Sequence, residues 1–285
     1  MPNNMDTPSA LPMIRSQYTD LAQKSKRIPK WLPIACFASA LIGIPFVLSI
    51  GGGLLLSYLR KRDMKKLDEF YQENIVPLCL TQVFGVYEYS RAGAVPEAVV
   101  YGSGIVPTGT GSFHGDTFIS ADYRGMPLEM SNLVIKGKGD DEDAKVFEGP
   151  FAVYRCGKYV PGNVWIFEKE TKSLSTVTAG QILTGQKEFD RQFNVFSDNP
   201  AVVPEVLDFR AMNAILDAES KLPGHIRFSL IGGNLYMAVE GGSPLLSKAV
   251  PKGQHQPGDI DELTSRAMFE VSTLVDIADA MCFDD

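Results

Sequence analysis

The side chains that could do chemistry are few and scattered. Three histidines stand at 114, 225 and 255. There is no HExxH, and neither His114 nor His225 has a close second ligand, so the spacing offers no metal site. Residues 102–112, GSGIVPTGTGS, carry a GxxxxG interval from Gly104 to Gly109. Thr110-Gly111 stands where a phosphate loop needs Lys-Ser/Thr, so the segment reads as a flexible loop. The run Asp140-Asp141-Glu142-Asp143 lacks the alternating oxygen ligands and the glycine of a calcium loop and reads as solvated. No GxSxG occurs. His114 with Asp116 could form an acid–base pair, but hydrogen bonding within a turn suits them better. Asp198, in EFDRQFNVFSDNP at 188–200, sits between a strand and a helix, where a carboxylate accepts backbone N–H groups and turns the chain. The expectation is therefore no catalytic residue, no cofactor and no metal.

Cys36, Cys79, Cys156 and Cys282 form no CxxC, and one lies in an apolar run. They read as thiols of a reducing compartment.

Charge is unevenly placed. Residues 1–66 hold ten Lys/Arg against three Asp/Glu, and residues 67–285 hold seventeen against thirty-one. An acidic body repels phosphate backbones, which argues against nucleic acid as a partner. The basic N-terminal part suits anionic lipid.

The strongest physical signal is Trp31 to Leu59, 29 residues without a charge. It is flanked by Lys24, Lys26, Arg27 and Lys30 on one side and by Arg60, Lys61, Arg62, Lys65 and Lys66 on the other. A helix of that length would reach roughly 43 Å, more than a bilayer core requires. Pro45 and Gly51-Gly52-Gly53 weaken it. Two basic flanks on one side of a membrane call for a hairpin turning near 43–45, with arms that dip in without fully crossing; one tilted span is the alternative. Either arrangement places the protein in the inner membrane with its body facing the cytoplasm.

The organisation that follows is a tail with a short amphipathic helix over 1–30, a membrane segment over 31–59 and a stalk helix over 60–84. A soluble α+β domain over 85–240, a linker over 241–258 and a C-terminal helix over 259–285 complete it. The domain reads as a β-rich sandwich or partial barrel, with a helix near 202–221 between later strands and a Gly232-Gly233-Asn234 hairpin. The last helix carries an apolar stripe of Ile260, Leu263, Ala267, Val271, Leu274, Ala278 and Met281. That stripe packs on its own domain or serves a partner helix or a second copy.

Three pieces in fixed order resemble the bacterial domain-of-unknown-function 3137 family. They are VFEGPFAVYRCGKYVPGNVWIF at 146–167, EFDRQFNVFSDNPAVVPEVLDFRAMNAIL at 188–216 and IRFSLIGGNLYMAV at 226–239. Phe147, Gly149, Phe189, Phe193, Phe196 and Asp198 form the structural signature. The resemblance covers most of 60–240, implies a membrane segment ahead of the domain, commonly a helix pair, and leaves 241–285 as an addition. Where the family has Asp-x-x-Glu-Ala-Arg, this chain runs Asp198-Asn199-Pro200-Ala201-Val202-Val203, without the Arg. The family implies no activity. A membrane-anchored, non-enzymatic module that binds a protein or peptide is the leading reading; a lipid-binding domain and an enzyme on a membrane substrate are its rivals.

Overall fold

The computed structural model describes residues 7–29, 31–39, 46–108, 111–137, 145–157, 160–169, 180–246, 248–250 and 258–282. Lys30, the proposed turn at 43–45, the acidic run 140–143 and His255 lie outside them. The chain forms two compact units, residues 1–79 with 246–268 and residues 80–245 with 269–285.

The first unit is helical. α1 spans Thr7–Lys26, α2 Trp31–Ser39 and α3 Phe46–Phe70. The apolar face of α1 is turned to the chain itself. Tyr18 and Ala22 are buried against the chain itself, with the Tyr18 ring 6.3 Å from that of Phe70 on α3. The Tyr18 hydroxyl donates to the Gly258 carbonyl at 2.8 Å, and burial pushes its pKa up.

α2 packs along the other half of α3. Pro33 and Ile34 at its start lie beside Ser57 to Lys61, so α2 and α3 run antiparallel. This corrects the single tilted span: the apolar stretch is used by two helices side by side, not by one long one. Among the described residues no helix is long and apolar enough to cross a membrane.

α3 runs on through a π-helical turn, Tyr71–Ile75, into α4, Val76–Phe84. The Val76 N–H bonds to the Tyr71 carbonyl, five residues back. Pro77 has no N–H to continue the α ladder, and the widened turn falls just ahead of it. Leu67, Tyr71 and Ile75, four apart along this helix, are fully buried.

The second unit holds the sheet. Its strands are β1 Tyr87–Ser90, β2 Phe113–Tyr123, β3 Met126–Lys136, β4 Lys145–Arg155 and β5 Val164–Glu168. β6 Gln181–Ile182, β7 Phe193–Ser197, β8 His225–Ile231 and β9 Asn234–Glu240 follow. Among the described residues these nine make one antiparallel sheet, ordered β1-β2-β3-β4-β9-β8-β5-β7-β6. The fold is thus α+β around one large antiparallel sheet, whose strand order does not close into a ring among the described residues.

A segment with the short helix α5, Glu97–Gly102, covers one face, placing Val95, Val100 and Ile105 against Phe147, Phe151 and Phe167. The Gly-rich stretch therefore belongs partly to the core. Ile105 and Val106 are buried, and at Gly104 (φ +67°) a Cβ would lie 2.9 Å from the Trp165 indole nitrogen. β8 and β9 are buried along both faces, which is why they read as near-continuous apolar runs.

Three short helices lie between strands: α6 Lys187–Gln192, α7 Val203–Val206 and α8 Phe209–Lys221. The predicted helix over 202–221 is interrupted because Asp208 caps α8, accepting from the Ala211 N–H at 2.7 Å. α9 spans Ile260–Cys282. All seven residues of its stripe are buried within the single chain, so that face is filled by intramolecular packing and is not open to a partner.

Two further expectations are corrected. Cys156 and Cys282 form a disulfide, while Cys36 and Cys79 remain thiols. The stretch after Glu240 is not a loose linker throughout. Leu245, Leu246 and Ala249 are buried, with the Leu245 N–H donating to the Asn132 side chain at 2.6 Å and the Ala249 N–H to Asp68 at 3.0 Å.

Candidate functional site

Spacing decides which basic residues meet. Lys24 stands in the last turn of α1 with Arg27 one residue past its end, and Arg62 and Lys66, four apart on α3, share one helical face. The packing of α1 on α3 brings the two pairs together. With Leu21 and Asp63 they line a cleft of about 290 Å³. Lys24 pairs with Asp20 at 2.5 Å, and Arg62 lies 3.3 Å from Asp63.

A second, shallower cleft of about 510 Å³ takes Arg60, Lys61 and Lys65 from α3, with Met64, Ser57 and Asp68, and Pro33 and Ile34 from α2. Lys65 lies 3.5 Å from Glu69 one turn on. Lys26 lines neither cleft.

Along α2 and the turns of α3 that precede these residues, large apolar side chains are exposed. Trp31, Ile34, Leu54, Leu55 and Tyr58 are each about 60% exposed or more (58–66%). A cluster of this kind on a soluble surface marks an interaction face. The sequence flagged the basic flanks; the meeting of Lys24 and Arg27 with Arg62 and Lys66 depended on α1 folding back, which no local pattern encodes.

The acidic and histidine candidates do not converge. Asp116 accepts from the Thr117 hydroxyl at 2.8 Å and from the Asn132 amide at 2.9 Å, at a bulge in β2 where Thr117 has φ +58°. His114 is exposed two residues earlier. Asp198 accepts from the Asn163 N–H at 2.7 Å and from its amide at 2.8 Å, tying the β5 entrance to the β7 exit. β2 and β5 are five strand spacings apart in the sheet, roughly 24 Å. An acid–base set of His114, Asp116 and Asp198 is therefore not assembled.

The capping role expected of Asp198 falls to its neighbour. The Asn199 side chain accepts from the Ala201 N–H at 3.3 Å. Asp190 was also missed, although it sits in the same signature. Its carboxylate accepts from Thr184 N–H and hydroxyl at 2.9 Å and from Gly185 N–H at 3.1 Å.

The other signature residues are structural. Phe147, Phe189 and Phe193 are buried and Phe196 is half-buried. The Phe189 and Phe193 rings stack at 4.9 Å, although Phe189 belongs to α6 and not to the strand. Gly149 has φ +151°, and a Cβ there would collide with the Val239 carbonyl oxygen.

Buried polarity in the sheet unit is spent on holding it together. Arg227, 2% exposed, donates to Glu240 and, at 3.1 Å, to the Ile105 carbonyl; burial lowers its pKa and Glu240 opposes that. His225 lies 3.2 Å from Glu168, which also accepts from the Ile226 N–H. Burial raises the Tyr89 phenol to about 12, against the pull of Arg91. Asp276 on α9 is raised by desolvation, with Asp279 and Asp217 adding to it and Lys221 opposing. Among the described residues no group of three or more His, Cys, Asp or Glu could hold a metal ion.

No curated protein matches the chain. A crystal structure of the mycobacterial trehalose monomycolate transport factor A, TtfA, is similar at 10% identity and a TM-score of 0.38, covering 75% of this chain and 98% of that one. The family described as "Protein of unknown function (DUF3137)" matches residues 145–281, a stretch that runs from β4 to the end of α9. The C-terminal helix is thus inside the likeness and not an addition to it, and the chain resembles that family from β4 onward.

Proposed function

We propose that the chain is a non-enzymatic module seated on a membrane face by the α2–α3 hairpin, with the sheet unit offered to a protein partner. The observation that carries the reading is the sequence of surfaces along α3. Exposed Leu54, Leu55 and Tyr58 give way within one turn to Arg60, Lys61 and Arg62, and α2 adds Trp31 and Ile34 beside them.

The apolar part of α3, Phe46 to Leu59, rises roughly 21 Å, and α2 roughly 14 Å. Both are short of a core near 30 Å, so the hairpin dips into one leaflet and returns. Trp31 and Tyr58 suit the interface, where amphipathic rings collect. Each Lys or Arg near an anionic surface adds about 1 kcal/mol. The basic flanks favour the cytoplasmic face of the inner membrane. The acidic balance beyond residue 66 and the open β1 edge of the sheet support a protein partner over a second lipid surface.

The test is flotation of the full chain with vesicles of phosphatidylcholine and phosphatidylserine. The wild type is expected to float, and Ile34→Glu combined with Leu55→Glu to stay at the bottom; a double variant that floats like the wild type sinks the anchor. Photo-crosslinking from Glu88 on β1, in cell membranes carrying the full chain, is expected to give one reproducible protein adduct. Lipid adducts alone would remove the partner from the reading.

A further inference from the structure

The cleft between α1 and α3 differs from the rest of the basic belt in having an inside. Four cationic side chains, Lys24, Arg27, Arg62 and Lys66, line it against one carboxylate, Asp63. Lys24 is matched by Asp20 and Arg62 is held loosely by its neighbour Asp63. Among the described residues no carboxylate lies within ion-pair distance of the Arg27 guanidinium or the Lys66 ammonium. Like charges gathered this way repel, and an anion that enters them relieves the repulsion while accepting from two planar guanidinium forks.

Volume narrows the ligand. About 290 Å³ takes a phosphate with a small polyol and little more. Charge narrows it further, since the surplus of cations over carboxylates is better met by a dianion than by a monoanion. Position supplies the source. Arg62 stands three residues past Leu59, the last of the uncharged run, which is roughly 5 Å along the helix. The headgroup layer beyond the hydrocarbon is about 5–7 Å deep on each side.

We infer that this cleft binds a phosphomonoester, and that in the membrane it takes the headgroup of a phosphomonoester lipid. Arg27 and Arg62 grip the phosphate oxygens, and Lys24 and Lys66 close the charge. This rests on the membrane seating proposed above and gives it a preference among lipids.

The full chain is floated with three vesicle sets: phosphatidylcholine alone, phosphatidylcholine with phosphatidylserine, and phosphatidylcholine with phosphatidic acid at matched surface charge. The wild type is expected to bind the phosphatidic acid set at least tenfold more tightly than the phosphatidylserine set. Arg27→Gln with Lys66→Gln should erase that preference, bringing the two anionic sets to equal binding, with the general loss from two removed charges common to both. Arg60→Gln with Lys65→Gln, outside the cleft, should lower binding to both anionic sets and keep the preference.

Equal binding of the wild type to the two anionic sets overturns the cleft and leaves the anchor standing. Failure to float on any set removes the anchor and the cleft together. A preference that survives the Arg27/Lys66 variant, or is lost in the Arg60/Lys65 variant, also overturns the assignment. Millimolar glycerol 3-phosphate is the last arm. It should compete for the cleft and lower the phosphatidic acid preference; a preference that it leaves untouched would place the phosphatidic acid contact outside a phosphomonoester cleft and overturn the assignment.

Discussion

Gly149 shows how much one position in the sheet unit is worth. Its φ of +151° is one that side chains rarely adopt, and the Val239 carbonyl occupies the space a Cβ would need. The neighbouring Glu148 carbonyl accepts from the Gly241 N–H at 2.8 Å, so β4 cannot shift without breaking its tie to the end of β9. Gly149→Ala is expected to destabilise the protein by at least about 2 kcal/mol in urea unfolding, from steric and conformational strain together. Gly125→Ala is the control: φ is +82° there with nothing within 4 Å, so only the backbone term of about 1 kcal/mol applies. Equal losses in the two variants would show that the collision at Gly149 relaxes away. At this scale the sequence was readable where a residue's role is set by its own type. The phenylalanines of the signature and Gly149 are examples. Asp198 was misread because its partner, Asn163, is 35 residues away and nothing local distinguishes a carboxylate that caps a helix from one that pins a neighbouring strand.

Among the elements, α9 carries the sharpest consequence. Its stripe is buried, its Asp279 pairs with Arg124 and, at 3.5 Å, with Arg210, and Cys282 near its end is bonded to Cys156 just past β4. The bond closes a loop with a sequence separation of 126 residues. By loop-closure entropy its removal should cost about 3–5 kcal/mol. Cys156→Ser with Cys282→Ser, compared with the wild type in thermal unfolding with and without reductant, measures this. Reductant should lower the wild-type midpoint towards that of the variant and leave the variant unchanged. A midpoint in the wild type that ignores reductant would mean that the packing of α9 alone sets its stability. The pairing was invisible in the sequence because four dispersed cysteines carry no spacing signal, and only the return of α9 to β4 brings these two together. Strands were easier to find. TFISADY at 117–123, PLEMSNLVI at 127–135, VFEGPFAVYR at 146–155, GNVWIFEK at 162–169, HIRFSLIG at 225–232 and NLYMAVEG at 234–241 read as strands and each contributes one, because period-two patterns and the Gly232-Gly233 turn are local properties. The number of sheets was not legible, since strand order depends on contacts far apart in the chain.

At the scale of the whole molecule, each compact unit is built from two separate stretches of the sequence. Residues 246–268 return to the helical unit and 269–285 to the sheet unit. Deleting 259–285 is therefore expected to damage both, exposing Cys79 and its buried neighbours in one and Tyr154 in the other. Limited proteolysis should show new cleavage within 60–79 and within 145–155, and the melting temperature should fall by several degrees. An unchanged digestion pattern would make α9 an accessory. The hairpin has a different kind of consequence. Held as proposed, it fills one monolayer and leaves the opposite one untouched. Two helices of roughly 10 Å diameter add on the order of 150 Å² of cross-section to that monolayer alone. Every copy is then a wedge, and a membrane dense in this protein acquires a bias to bulge on the face that the hairpin enters.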